Sequence, residues 1–129
     1  MRDIIFDSNV WVAFLNEDDP NHPEAVKIFG THESKIICLP EYVALETATV
    51  IMLKKDKKTA DLFLEMALDN ENIQVLYSSK DIFLDTIQFF YRTKNKKLSF
   101  VDHSLLYFSD KYEVVTFDKD LLKLIEITK

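Results

Sequence analysis

Four short apolar runs, spaced along the chain by longer amphipathic stretches, constrain the fold of this sequence more than any other feature. They are "DIIF" (3–6), "KIICL" (35–39), "IQVLY" (73–77) and "EVVTF" (113–117), each rich in β-branched or aromatic residues and flanked by polar positions, as strands are. A weaker fifth, "IEIT", occupies 125–128. Between them the apolar spacing predicts helices over 9–15, 21–33, 40–55, 57–69, 79–93 and 100–111, with a short turn at 119–123. Pro40 suits the first turn of the third helix, where a missing N–H costs nothing. Strands separated by helices need crossover connections, which are right-handed and leave the sheet mainly parallel. One Gly, three Pro and 47% hydrophobic residues in a 129-residue chain, with no repeat or linker, fit one layered α/β domain over 1–129 with a sizeable core.

A formal net charge of −6 argues against a general nucleic-acid binder, whose footprint is a basic patch or domain. Contact with phosphates would have to be local or metal-mediated. The single cysteine, Cys38, lies in "IICL" and reads as a reduced core residue. The first apolar run is interrupted by Asp7, and none approaches the ~18 apolar residues of a membrane span. The expectation is a cytoplasmic protein without a membrane segment.

In sheets of this kind ligands bind beyond the carboxyl ends of the strands, and acids gather there. Asp7 ends the first strand, Asp118 follows the fourth, and Asp102 opens the helix after "LSF". Each also fits an ordinary local role. Asp7 and Asp118 are good N-caps, and Ser99 with Asp102 has the spacing of a capping box. Glu46 is harder to explain locally, because helical spacing sets it beside Tyr42, Val43, Val50 and Leu53. A carboxylate on an apolar face needs a partner or loses its charge.

Were the four to converge, their repulsion would raise some of their pKa values unless cations intervened. Oxygen-only ligands suit one or two Mg²⁺ or Mn²⁺ ions, which orient an attacking water and stabilise the leaving oxygen in phosphodiester cleavage. Helix N-termini near Asp7 and Asp102 favour the ionised carboxylates. Ser8 and Asn9 can start the following helix or hold Asp7 from a second layer.

With "IIFDSNVWVAFL", "LPEYVALETATVIMLK" and "LSFVDHSLLYFSDKYEVVTFDKDLLKL" in this order, the chain resembles a PIN domain. Within that superfamily it resembles the VapC-type toxin ribonucleases of toxin–antitoxin pairs. The resemblance places the family's four acids at Asp7, Glu46, Asp102 and Asp118. It implies a three-layer α/β/α sandwich with a parallel sheet of about five strands and metal at the acids. It also implies RNA cleavage leaving a 3′-hydroxyl and 5′-phosphate, frequent homodimers, and inhibition by an antitoxin protein. Two positions depart from the pattern. His103 stands where a small residue is usual, and reads as a surface or partly packed histidine. Asp120 supplies a second acid after Asp118, and reads as a first-turn helix residue.

The basic runs "KKDKK" (54–58) and "RTKNKK" (92–97) are solvated helix ends in the simplest reading. In a nuclease, Arg92, Lys94, Lys96 and Lys97 would grip phosphates beside the metals. Trp11 reads as core packing, and "FFY" (89–91) and "LLYF" (105–108) as core with some outward-facing members. A phosphatase of the haloacid dehalogenase type is disfavoured, since its D-x-D pattern meets Asn9 here. A catalytically silent PIN-like module that binds RNA or protein is the alternative from another class.

Overall fold

The computed structural model describes residues 2–128. Strands β1 (Ile4–Phe6), β2 (Ile37–Pro40), β3 (Ile73–Leu76) and β4 (Glu113–Val115) form one sheet in the order β3-β2-β1-β4. Every pairing is parallel, with Ile4 opposite both Ile37 and Glu113. The helices α1 (Ser8–Leu15), α2 (His22–Thr31), α3 (Glu41–Lys54), α4 (Lys57–Asp69), α5 (Lys80–Arg92) and α6 (Phe100–Phe108) supply the crossovers in pairs, and α7 (Lys119–Thr128) follows the last strand. The result is a helix-covered parallel α/β sheet.

Burial explains the strand composition. Ile4, Ile5 and Phe6 of β1 are all fully buried, because a central parallel strand is covered on both faces and cannot alternate. Phe6 leads into an aromatic core in which Trp11 sits edge-on to Phe6, Phe29 and Phe63 at centroid separations of 5.9, 5.1 and 5.4 Å. Trp11 is therefore a packing residue. Cys38 is free and buried in the same core.

The sheet has four strands among the described residues, where about five were expected. Residues 125–128 continue α7 as helix. "IEIT" alternates like a strand, but Leu121 and Ile125 are both buried one helical turn apart. That 3.6-residue period overrides the local alternation. The predicted helix over 100–111 stops at Phe108, where the amides of Lys111 and Tyr112 turn back to the Phe108 carbonyl. Pro40 closes β2 and precedes the helix with extended dihedrals (φ −62°, ψ 144°), so it stands just outside the first turn of α3.

The strand order reverses direction at β1, with β2 on one side and β4 on the other. Crevices at such switch points open beyond the carboxyl ends of the strands. Asp7 immediately follows β1, and Thr116 to Asp118 follow β4, so the topology delivers both segments to one place.

Candidate active site

Asp7 is only 2% exposed, and the chain is bent around its carboxylate. Its backbone continues the sheet by donating to the Val115 carbonyl at 2.9 Å, which sets the side chain at the β1–β4 junction. One carboxylate oxygen accepts from the Ser8 amide at 2.7 Å, the N-cap contact that starts α1. The other accepts from the Thr116 hydroxyl, also at 2.7 Å. Ser8 in turn donates its hydroxyl to Glu46 Oε2 at 3.0 Å. One residue thus links the acid of β1 to the acid of α3.

Thr116 is the hub that sequence reasoning missed. Its hydroxyl donates to Asp7 and accepts from the Asp118 amide at 3.0 Å and from Asn9 Nδ2 at 3.2 Å. One donor and two acceptors saturate a hydroxyl. Asn9 Oδ1 accepts from the Phe117 amide at 3.2 Å, tying α1 to the segment after β4. The available signal was a hydroxyl residue two positions before an acid at a strand end, a common turn pattern with low information.

Asp118 caps α7, its Oδ1 accepting from the amides of Asp120 and Leu121 at 2.9 and 3.2 Å. Asp120 lies in the first turn of α7 and offers its amide to Asp118. Asp102 and Ser99 form the expected capping box, with Asp102 Oδ2 accepting from the Ser99 amide at 2.9 Å and the Asp102 amide donating to Ser99 Oγ at 3.1 Å. Cap and acid-cluster roles coexist in these side chains. Glu46 is half-buried rather than enclosed: Val43 beside it is buried, but Leu53 is 76% exposed, so its helix face forms the rim of the site.

The four acids act on one another. Burial raises the Asp7 carboxyl from the usual 3.8 to about 6, with the nearby charges of Asp102 and Glu46 adding to the rise and the Thr116 and Ser8 hydrogen bonds opposing it. Burial also raises Glu46, reinforced by Asp102, and raises Asp102, reinforced by Asp118. No Lys or Arg answers this charge, since the one ion pair among the described residues is Lys57 with Asp61 on the surface of α4, and only the neighbouring His103 opposes the rise at Asp102. As placed, no three His, Cys, Asp or Glu side chains among the described residues form a group that could hold a metal ion. Asp7, Glu46, Asp102 and Asp118 instead spend oxygens on Ser8, Thr116, Ser99 and the start of α7. Hard anionic oxygens without counterions nevertheless match the donor chemistry of Mg²⁺ and Mn²⁺.

His103 departs from expectation. It is 1% exposed, with Nδ1 2.6 Å from the Ser99 carbonyl, Phe90 edge-on to its ring and Nε2 without a partner. A carbonyl only accepts, so Nδ1 carries the proton. The residue is a buried brace of the α6 start, not a surface histidine. Lys94, Lys96 and Lys97 are exposed on the segment leading into Ser99. Arg92 lines a separate cavity of about 820 Å³ between α5, β3 and the end of α6, whose walls include none of the four acids.

A parallel sheet with an uncompensated acid cluster at its switch point defines an α/β protein of acid-centred type. The chain belongs to the PIN domain family, whose model matches residues 4–126. Its fold is similar to that of VapC20 of Mycobacterium tuberculosis, described as a Sarcin-Ricin loop cleaving toxin, with a TM-score of 0.81, 19% identity and 94% of each chain covered. It is also similar to a chain of VapBC2 from Rickettsia felis, solved bound to a DNA fragment from its promoter. There the TM-score is 0.55 and the identity 11%, over 89% of this chain and 98% of that one. No curated protein matches the chain.

Proposed function

We propose that this chain is a divalent-metal-dependent endoribonuclease and the toxin of a toxin–antitoxin pair. The observation that carries the reading is the set Asp7, Glu46, Asp102 and Asp118 near the sheet's switch point, linked by repulsion and forming no ion pair with any Lys or Arg among the described residues. Family membership and the likeness to a toxin described as cleaving the Sarcin-Ricin loop support RNA as the substrate. The likeness to VapBC2 supports an antitoxin partner, and a homodimer acting in the cytoplasm is consistent with both.

In this reading the four acids hold one or two Mg²⁺ or Mn²⁺ ions, which when bound activate water and offset charge on the phosphate. The chain's own residues prepare that step. Ser8 and Thr116 fix the Asp7 carboxylate from two sides, and Asn9 holds the post-β4 segment against α1. Burial and the neighbouring acids raise the Asp7 carboxyl, and a bound cation would oppose that rise and favour the ionised form. Lys94, Lys96 and Lys97 bind phosphates of the flanking RNA, with Arg92 further out.

Digestion of total RNA by the wild type and Asp7→Asn in Mg²⁺, Mn²⁺ and chelator tests the proposal. Metal-dependent cuts with 5′-phosphate ends, lost in the variant, are expected. Equal cleavage by the two proteins would remove Asp7 from the mechanism. Intact RNA in every condition would favour the silent binding module.

A further inference from the structure

Half of the chain's 16 Lys and Arg residues fall in two short runs, 54–58 and 92–97, which hold one of its 22 Asp and Glu residues. The runs together carry +7 on a chain whose formal total is −6, so the remainder carries −13. Charge segregated to this degree marks two places where an otherwise repelling surface attracts anions. The second run leads into Ser99 and Asp102 and has a part in the ribonuclease reading. The first, around the turn between α3 and α4, has none.

Helix-end electrostatics explains half of that first run. Lys54 ends α3 and Lys55 is its C-cap residue, where the helix dipole favours cations. Lys57 and Lys58 open α4, where the same dipole opposes them. The first turn of α4 contains no acid, and Asp56 caps the helix by accepting from the Thr59 amide at 2.7 Å. Lys57 pairs with Asp61. Lys54, Lys55 and Lys58 form no ion pair among the described residues, and all three are exposed. They are left to a partner outside the chain.

Their place relative to the acids restricts that partner. Helix α3 carries Glu46 and ends at Lys54 eight residues later, a rise of about 12 Å, and Thr49, Met52 and Leu53 between them are exposed. The other basic run is joined to Asp102 through Ser99. Each run is thus tied to a different acid by a different element. One small anion cannot engage both, whereas a polymer with a charge on every residue can.

We propose that Lys54, Lys55 and Lys58 form a second phosphate-binding surface, which holds the RNA several nucleotides from the cut while Lys94, Lys96 and Lys97 hold it nearer the acids. The inference rests on the ribonuclease reading above. Contacts to phosphates position a strand without reading its sequence. The surface therefore adds affinity and a dependence on RNA length, and leaves the chemical step unchanged.

The test compares the wild type with a variant combining Lys54→Gln, Lys55→Gln and Lys58→Gln. A control combines Lys27→Gln, Lys111→Gln and Lys123→Gln, exposed lysines outside both runs. Single-stranded RNAs of about 4 and about 12 nucleotides, which span the lower range of single-strand site sizes, share one mapped cut site and are cleaved in Mn²⁺. Binding of the longer RNA is measured in chelator across a range of salt. The first variant should bind it on the order of tenfold more weakly at about 0.1 M salt, with a log–log slope flatter by about 2. On the longer RNA its KM should rise with kcat unchanged, and its cleavage of the shorter RNA should match the wild type, as should the control on both. Lys58→Gln alone should not lower Tm, because it removes a cation from the positive end of α4. Wild-type affinity in the first variant, an equal loss in the control, or equal losses of kcat/KM on both RNAs would overturn the second surface and leave the nuclease reading intact. Binding that depends on these lysines, with no cleavage by the wild type, would keep the surface and overturn the nuclease reading. No binding of RNA by the wild type would overturn both.

Discussion

Asp7→Asn should make the metal-free protein more stable at neutral pH, although it replaces the most deeply buried carboxylate of the site. Asp7 is 2% exposed, and burial raises its carboxyl from 3.8 to about 6. The folded state thus keeps a proton that the unfolded chain releases near 3.8. Stability is greatest below that value, falls as pH rises toward 6, and remains reduced above it. The full effect is about 3 kcal/mol. Asparagine avoids this penalty and still offers Oδ1 to the Ser8 amide. Its NH₂ cannot accept from Thr116, whose hydroxyl must turn, at a cost of about 1 kcal/mol. A net gain on the order of 2 kcal/mol above pH 6 follows, changing to a small loss below pH 4. Urea unfolding in chelator at pH 4 to 8, followed by circular dichroism and by Trp11, the only tryptophan, measures it. Glu46 and Asp102 also titrate in both proteins, so the difference between the two curves is the informative quantity. A variant less stable than wild type at pH 7.5, or a difference independent of pH, would refute the reasoning.

Thr116→Val should destabilise by about 1–3 kcal/mol, because it leaves the buried Asp7 oxygen and the Asp118 amide without a partner; the loss should be smaller below pH 4, where Asp7 is neutral, and urea midpoints at pH 4 and 7.5 read it. Ser99→Ala should cost about 1 kcal/mol by removing the α6 cap, seen as a lower Tm in chelator. Replacing Lys94, Lys96 and Lys97 together by Gln should weaken binding of single-stranded RNA and flatten its log–log salt dependence by about 0.7 for each phosphate no longer neutralised, with metal affinity unchanged by calorimetry.

The parallel α/β order was legible because short branched runs and amphipathic helices alternate with little ambiguity. Its failure at 125–128 has a specific cause: four residues alternate like a strand, while the burial of Leu121 and Ile125 belongs to a longer period. Asp7, Asp102 and Asp118 stood out at element boundaries, where cap chemistry and site chemistry use the same residue types. Glu46 stood out for the apolar residues around it, yet half of that face proves to be solvent rim. Thr116 and His103 were not legible as structural hubs, since a strand-end threonine and a helical histidine gain their meaning only from partners distant in sequence or from burial.

The central claim, that four carboxylates serve one metal centre, is tested most directly by calorimetric titration of Mn²⁺ into the wild type and into Asp7→Asn, Glu46→Gln, Asp102→Asn and Asp118→Asn. The account predicts one or two bound ions in the wild type and at least a tenfold loss of affinity in each variant, including the Asp7 variant that is more stable without metal. Wild-type affinity retained by the four variants, or no Mn²⁺ binding by the wild type, would contradict it.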